Sequence, residues 1–284
     1  NDLYLRATYG TPGAALLISA PAGNDAIRPQ GTSTTDLVGT DGYNDGATTD
    51  PLEYTDPDYT SRFNGTSSAS PVVSGVVALI LEANPNLGWR DVQEILVRSA
   101  TVNQSNDLDW VTNQAGFHFN HEFGAGLINA GAAVTLATNW ANLGPQLRFV
   151  AQQTNLSLAI PDNTTSGLTV TIPVSGANLR LEHVQLQVDI QHFRRGDLEI
   201  SITSPSGVTS RLARPHGDNN PDYAGYRFMT VHNWGEVAEG DWVVQVNDRS
   251  PGSLGILNTA RLEFFGTFTN VNQVATNPPV IISQ

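Results

Sequence analysis

The sequence contains no cysteine and no lysine, and both absences exclude chemistry. Without cysteine the chain has no disulfide, no thiolate nucleophile and no Cys-ligated zinc. Without lysine it can neither form a lysine Schiff base nor hold phosphates with a P-loop lysine. All 14 basic residues are therefore arginine, against 27 acidic residues, and the net charge is −13 at pH 7. A chain of this charge repels phosphate, which argues against nucleic acid as a partner.

Charged residues make up only 14% of the chain, and long uninterrupted hydrophobic runs are missing. With 39% apolar residues the composition argues against disorder, and 284 residues suggest about two domains. The longest apolar stretch, Val72 to Leu81, is interrupted by Ser74 and Gly75, so it predicts a buried helix and not a membrane span. The chain starts at Asn1 without a signal segment, so we expect a processed chain or part of a longer polypeptide.

Periodicity divides the chain into two kinds of structure. Residues 1–64 read as loops with one strand at 14–19, and helices are expected at about 67–82, 89–99 and 129–140. The first of these helices is apolar on nearly all sides, which predicts that it is buried. After residue 144 the pattern changes to short alternating runs typical of an antiparallel sandwich or barrel. These runs are 168–172, 184–190, 198–202, 242–246 and 260–264.

Residues 63–75 (FNGTSSASPVVSG) join a Gly-Thr-Ser turn directly to the first helix. This arrangement presents the Ser67 hydroxyl at a helix N-terminus, together with first-turn N–H groups that suit a developing oxyanion. The alternative is that Ser67 is simply an N-cap residue. The spacing alone leaves both interpretations open.

The motif at 64–71 (NGTSSASP) resembles the nucleophile motif of subtilisin-like serine proteases. The segments 81–93 (LEANPNLGWRDVQ), 109–116 (DWVTNQAG) and 123–130 (FGAGLINA) resemble the kexin/furin, or proprotein convertase, branch of that family. Further segments resemble the P domain (homo B domain) of the same branch: 194–200 (RRGDLEI), 203–207 (TSPSG), 228–234 (FMTVHNW) and 240–244 (GDWVV). The likeness runs from about residue 9 to 268, in the family's order.

The resemblance implies an α/β subtilisin-like fold over 1–143, the C-terminal portion of a catalytic domain. An all-β jelly-roll-like sandwich, the P domain, would follow over 144–269, and 270–284 would be a tail or linker. It also implies that Ser67 is the nucleophile. Because the family order is Asp, His, Ser, the catalytic Asp, the catalytic His and the oxyanion-hole Asn are expected upstream of Asn1. Without its base, Ser67 is a poor nucleophile and this chain alone is expected to be inactive.

Two interpretations follow from the missing base. In the first, an N-terminal half carrying Asp and His stays bound as a separate chain, held by packing because no cysteine is present. In the second, the chain is an inactive shed or excised fragment, and its P domain acts as a binding module. The apolar stretch Val72 to Leu81 favours the first, since exposing several such side chains costs ~2 kcal/mol each.

The acidic stretch between Asp36 and Asp58 is the best candidate for structural calcium. It holds six aspartates, and Asp36, Asp41 and Asp45 are weak candidate ligands because hard carboxylate oxygens suit calcium. The stretch lacks the EF-hand pattern, so a solvated acidic loop is an equal alternative. Calcium is nevertheless the cofactor that the sequence suggests.

Histidines and a dibasic pair give weaker signals. His118 and His121 belong to a His-x-x-His-Glu run that fits no zinc-protease order, so a surface loop is the preferred interpretation over a metal site or a base for Ser67. His232 and His216 lie in P-domain-like motifs and are expected to be hydrogen-bonded structural residues. The dibasic pair at 194–195 lies inside another such motif and is expected to be structural.

Taken with the resemblance, the sequence predicts a secreted or extracellular, kexin-like serine endopeptidase of bacterial type that forms an acyl-enzyme on Ser67. Its expected partners are its own N-terminal half and a peptide or protein substrate. Neither nucleic acid nor a membrane is expected. Peptides with basic residues are compatible with the net charge of −13, although solubility explains that charge equally well.

Overall fold

The computed structural model describes residues 5–23, 31–47 and 51–269, and the backbone of 280–281. Its helices are α1 (Thr66–Ala83), α2 (Trp89–Ser99) and α3 (Ala130–Ala137), with one 3₁₀ turn at Arg195–Asp197. The strands of the first half are β1 (Thr32–Thr35), β2 (Tyr59–Phe63), β3 (Val111–Thr112) and β4 (His118–Phe119). The remaining strands are β5 (Leu147–Gln153), β6 (Leu158–Ile160), β7 (Leu168–Val174), β8 (Leu179–Gln191), β9 (Leu198–Thr203), β10 (Thr209–Ala213), β11 (Tyr223–Thr230), β12 (Gly240–Asp248), β13 (Gly255–Phe268) and β14 (Val280–Ile281).

The chain forms two compact units. The first comprises residues 1–12, 17–108 and 125–142, and the second comprises 13–16, 109–124 and 143–284. The segment 109–124 therefore belongs to the same compact unit as the sandwich, although its sequence resembles the catalytic domain. In the first unit α1, α2 and α3 share one apolar core, to which Ile80, Ile95 and Ala133 contribute fully buried side chains.

Helix α1 begins and ends within a residue of the predicted bounds, but the prediction that it is buried on all sides is wrong. Its buried residues are Ser68, Val76 and Ile80, whereas Leu79 is 48% exposed and Leu81 is 37% exposed. A helix that is apolar on all sides is fully buried only when other elements pack around it. By length and composition α1 is also the one helix of the described residues that could cross a membrane, a criterion that core helices meet as well.

Helix α2 has the predicted bounds. Its start is fixed by Asp91, whose carboxylate accepts the backbone N–H of Gly88 at 2.8 Å. The other carboxylate oxygen of Asp91 accepts the indole N–H of Trp140 at 3.0 Å. Helix α3 starts at the Asn129 cap, whose side chain accepts the Ala132 N–H, and ends at Ala137, earlier than expected.

The strand expected at 14–19 is not formed. Residues 14–15 are in a turn, and within the first unit Ser19 makes a single parallel bridge to Leu127. A strand needs a ladder of neighbours to satisfy its backbone, and in the described residues this segment has only that bridge. Strands β1 and β2 instead pair with each other as an antiparallel hairpin.

The second unit contains the predicted all-β sandwich. One sheet has the order β10-β9-β12-β7, and the other has the order β11-β8-β13-β5-β14 with β6 paired to β13; all pairs are antiparallel. The five alternating runs lie within β7, β8, β9, β12 and β13. Their inward-facing residues form one large core, in which Trp242 packs 5.1 Å from Phe264 and donates its indole N–H to the carbonyl of Ala238. The predicted fold class, an α/β segment followed by an all-β sandwich, is confirmed.

Candidate active site

Ser67 is the second residue of α1 and its side chain is exposed. The preceding Gly65 has φ 84° and ψ −179°, a backbone conformation that side chains other than hydrogen strongly disfavour. The N–H groups of Ser68 and Ala69 both point to the Gly65 carbonyl, so the turn passes straight into the helix. The Gly-Thr-Ser order therefore places the Ser67 hydroxyl at the start of α1, clear of the helix body.

The neighbouring Ser68 anchors this turn. Its buried hydroxyl contacts the carbonyl oxygens of Ala22 at 2.9 Å and Gly65 at 3.0 Å. Segment 21–23 is held in turn by the hydroxyl of Tyr9, which donates to the Gly23 carbonyl at 2.6 Å. Ser68 is therefore buried and held by hydrogen bonds, whereas the adjacent Ser67 is exposed to solvent. The motif indicated Ser67 but gave no role to Ser68, whose partners are set by the fold.

Ser67 lies at the N-terminus of α1. The first-turn N–H groups of an α-helix have no partner within the helix, and the positive end of its dipole lies there. Ser67 is not used as an N-cap, because the cap position is Gly65 and no side-chain cap hydrogen bond is formed. The N-cap interpretation of Ser67 is therefore wrong. The hydroxyl and these N–H groups share one end of one helix, which suits attack on a carbonyl carbon.

The calcium candidates do not converge on a common point. Asp36 uses one carboxylate oxygen to accept the Leu37 N–H and the other to accept the Asn44 N–H, both at 2.8 Å, and Asp45 accepts the Ala47 N–H. Within the described residues no group of three or more His, Cys, Asp or Glu side chains is placed to hold a metal. The residues present therefore do not fit a calcium site built on Asp36, Asp41 and Asp45. Asp50, in the same stretch, lies outside the described residues.

The histidine pair of the sequence is split between two environments. His118 is exposed on β4 and contacts the Thr112 hydroxyl at 2.8 Å. His121 is buried, so the expectation of a surface loop is wrong for this residue. Its Nε2 accepts the backbone N–H of Arg211 at 2.9 Å, which leaves the proton on Nδ1, where it is donated to Asp109 at 2.9 Å. Both ring nitrogens are engaged, so His121 is not free to act as a base.

His232 lies against His121 inside the second unit. The two ring centres are 4.3 Å apart, and the Phe119 ring stacks on His232 at 5.5 Å. Within the described part of the chain neither ring nitrogen of His232 has a hydrogen-bond partner, so the expectation that it is hydrogen-bonded is wrong. Burial, with a smaller effect of His121, lowers the pKa of His232 to about 3. Sequence reasoning missed this pair because nothing local connects two segments so far apart in the chain.

The pKa values of His121 and Asp109 are set by their burial and by their contact with each other. Burial lowers the pKa of His121, and the nearby Asp109 carboxylate only partly opposes that effect. For Asp109, burial raises the pKa, but the hydrogen bonds and charge of His121 outweigh it, and the net pKa is lowered. Asp109 is therefore ionised and His121 neutral at pH 7. The pair holds segment 109–124 in the second unit.

The dibasic pair is structural, as expected. Arg195 donates to Asp218 at 2.7 Å and lies over the Tyr223 ring, while Arg194 pairs with Asp197 at 3.8 Å. Asp218 has its pKa lowered to about 2, mainly by the Asn220 N–H and then by Arg195. His216, exposed, contacts the carbonyl of Arg214 at 2.7 Å.

Residues 7–126 match the model of the subtilase family, and residues 181–264 match the model of the proprotein convertase P-domain. The two matched segments occur in the same order as the α/β segment and the all-β sandwich of the structure. The chain therefore belongs to the subtilases that carry a convertase-type P domain. Together the two matches include residues of both compact units.

Curated relatives support the same assignment. The chain is 38% identical to rat furin over 217 residues, which is 73% of this chain and 27% of furin. It is 39% identical over 233 residues to a dibasic-processing endoprotease of Schizosaccharomyces pombe, covering 77% of this chain and 33% of the relative. The crystal structure of a serine protease of Aeromonas sobria superposes with a TM-score of 0.80 at 27% identity, covering 93% of this chain and 56% of that one. The chain thus spans about a quarter to a half of the proteins it matches.

Proposed function

We propose that this chain supplies the nucleophile of a serine endopeptidase and that Ser67 is that nucleophile. The exposed position of its hydroxyl at the N-terminus of α1 carries the proposal. Ser67 attacks the scissile carbonyl, the first-turn N–H groups stabilise the oxyanion, and water then hydrolyses the acyl-enzyme. A hydroxyl is protonated at neutral pH, so this chemistry needs a base.

We infer that the base comes from a segment outside this chain, because the subtilase order Asp, His, Ser places the catalytic His before the nucleophile. His121 is held at both ring nitrogens and His232 is enclosed among aromatic rings, so neither offers an accessible acceptor. An N-terminal segment of the same protease would contribute the catalytic Asp, the catalytic His and the oxyanion-hole Asn.

The exposed face of α1 is where that segment would bind. Its exposed positions Pro71, Ser74, Gly75 and Ala78 recur at helical spacing and are small, with Leu79 beside them. A Cβ added at Gly75 would meet nothing within 4 Å. Small side chains allow another backbone to approach closely, and covering the exposed parts of Leu79 and Leu81 would contribute about 1 kcal/mol each. We therefore propose that the N-terminal catalytic segment packs on this face.

The remaining parts of the proposal follow from family membership. The chain comprises the C-terminal portion of the catalytic domain over 1–143, the P domain over 144–269 and a linker over 270–284. Peptides with basic residues are its proposed substrates, in keeping with the name of the fission-yeast relative and the net charge of −13. A secreted or extracellular location is proposed on the same grounds. Calcium binding outside the loop of Asp36, Asp41 and Asp45 can be tested by calorimetry with a chelator control.

Native and denaturing mass spectrometry of the purified protein, followed by fluorophosphonate labelling, tests the proposal. A second chain bound one to one, with the label mapped to Ser67, supports a two-chain protease. A lone 30.4 kDa species that takes no label supports the second candidate, a P-domain binding module. A label on any other serine contradicts the assignment of Ser67.

A further inference from the structure

The solvent-facing side of the larger sheet carries three arginines around one glutamate. Glu263 on β13 is almost completely buried, with 3% of its side chain exposed. Arg148 on β5 donates to its Oε2 at 2.7–2.8 Å, Arg261 on β13 lies 3.0 Å from Oε1, and Arg227 on β11 lies 3.9 Å from Oε1. We name Arg148, Arg227, Arg261 and Glu263 the arginine cluster.

Strand register brings these residues to one face. Arg227 pairs with Gln187 of β8, and Gln187 pairs with Arg261. Because side chains alternate across a strand, Arg261 and Glu263 face away from the core that Leu262 and Phe264 enter. The cluster therefore spans the sheet from β11 to β5 on its outer surface.

The cluster has more positive charge and more donors than its glutamate can satisfy. Three guanidiniums and one carboxylate leave a local charge of +2, in a chain whose net charge is −13. The guanidiniums offer ~15 N–H groups, whereas a carboxylate accepts about four hydrogen bonds. Among the described residues, three buried atoms at the cluster have no hydrogen-bond partner: the donor Nε of Arg261, and the acceptors Oε1 of Glu263 and Oε1 of Gln187. In the part of the chain that the structure describes, the ion pair of Arg227 is the long contact of 3.9 Å to Glu263, and the Arg227 side chain is 57% exposed.

Two other arginines of the same unit do not share this imbalance. Arg195 pairs with Asp218 at 2.7 Å, and Arg249 pairs with Glu199 at 3.0 Å, one acid for each base. In each of these pairs the two charges balance.

We propose that the arginine cluster is a binding site for an oxyanion, the carboxylate or sulfate group of a ligand that docks on the outer face of the P domain. The planar fork of an arginine binds either group with two parallel hydrogen bonds. Arg227 supplies an exposed guanidinium, and Glu263 holds Arg148 and Arg261 in place beneath it. The incoming anion neutralises the excess charge and takes up unused donors.

The test uses the full chain and two probes at constant ionic strength. A labelled oligoglutamate peptide is followed by fluorescence anisotropy, and sodium sulfate is titrated calorimetrically against sodium chloride. Arg227→Gln is expected to weaken binding about tenfold, because it removes one charge-assisted contact. Arg249→Gln, the matched control in a one-to-one pair, is expected to change binding less than about twofold.

Glu263→Gln raises the local charge from +2 to +3 and is expected to tighten binding if the sheet stays intact. Arg227→Gln alters an exposed side chain, so its result stands whether or not the Glu263 variant folds. Binding of oligoglutamate alone identifies a carboxylate ligand, and binding of sulfate identifies a tetrahedral one. The proposal is wrong if neither probe binds, or if Arg249→Gln weakens binding as much as Arg227→Gln.

Discussion

The imidazole rings of His121 and His232 lie 4.3 Å apart, centre to centre, inside the second compact unit. His121 comes from the segment 109–124 and His232 from the turn after β11. Both rings are neutral at pH 7, because burial lowers both pKa values. The contact is therefore a packing interaction, and it persists only while both rings are uncharged.

Acid is expected to destabilise this contact. The pKa of His232 is about 3 in the folded protein and about 6.5 when unfolded, so the unfolded chain binds more protons in between. Stability is then fully present above pH 6.5 and declines as the pH falls toward 3. Between pH 7 and 4 the loss from His232 is on the order of 3 kcal/mol.

Urea unfolding at a series of pH values measures this dependence. His232→Phe keeps an aromatic ring against Phe119 and should flatten the curve between pH 6.5 and 4. His118→Gln, at an exposed histidine, is the control and should leave the curve unchanged. An unaltered pH dependence in His232→Phe would show that protonation of His232 is not its source.

Gly65 sets the position of Ser67, and replacing it should cost both stability and reactivity. Its φ of 84° is strained for alanine, so Gly65→Ala is expected to destabilise by about 1–2 kcal/mol and to lower labelling of Ser67. Gly131→Ala is the control, since Gly131 is an exposed residue of α3 whose added Cβ would make only an ordinary contact at 3.8 Å, and it should be neutral or stabilising by up to ~1 kcal/mol. Melting curves of the chain and labelling rates of the assembled protease compare the two variants directly. Equal behaviour of both would remove the role given to Gly65.

The exposed face of α1 predicts a selective effect of added bulk. Gly75→Leu should leave the melting temperature of the chain alone nearly unchanged, because nothing lies within 4 Å of the new Cβ. It should weaken association with the N-terminal segment at least ~10-fold, since a close approach becomes blocked. Asn86→Leu adds the same kind of bulk at an exposed turn and should have no effect. Native mass spectrometry measures the bound fraction, and tight binding by Gly75→Leu would place the interface elsewhere.

The elements that the sequence predicted correctly are those with strong local sequence patterns. Helix α2 was predicted residue for residue because its apolar stripe and the cap by Asp91 agree. The five alternating runs located strands because one face of each is buried in the sandwich core. Strand β5 was missed, since its burial pattern alternates only weakly.

The sequence-based predictions were wrong where packing against neighbouring elements determines the structure. The strand expected at 14–19 and the all-round burial of α1 both assume packing partners, which a helix or strand pattern cannot supply by itself. For the candidate site, the motif indicated Ser67, but the buried anchor at Ser68 and the environment of His121 depend on contacts distant in sequence. For the calcium candidates, the carboxylates of Asp36 and Asp45 accept nearby backbone N–H groups, which the sequence pattern did not indicate.

Comparing two serine variants decides whether Ser67 is the nucleophile. Peptide hydrolysis is measured for the assembled protease carrying Ser67→Ala or Ser70→Ala, both exposed serines in the first two turns of α1. Ser67→Ala is expected to lose activity by at least ~10³-fold with an unchanged melting temperature, while Ser70→Ala stays within about twofold. Appreciable turnover by Ser67→Ala would show that another group is the nucleophile.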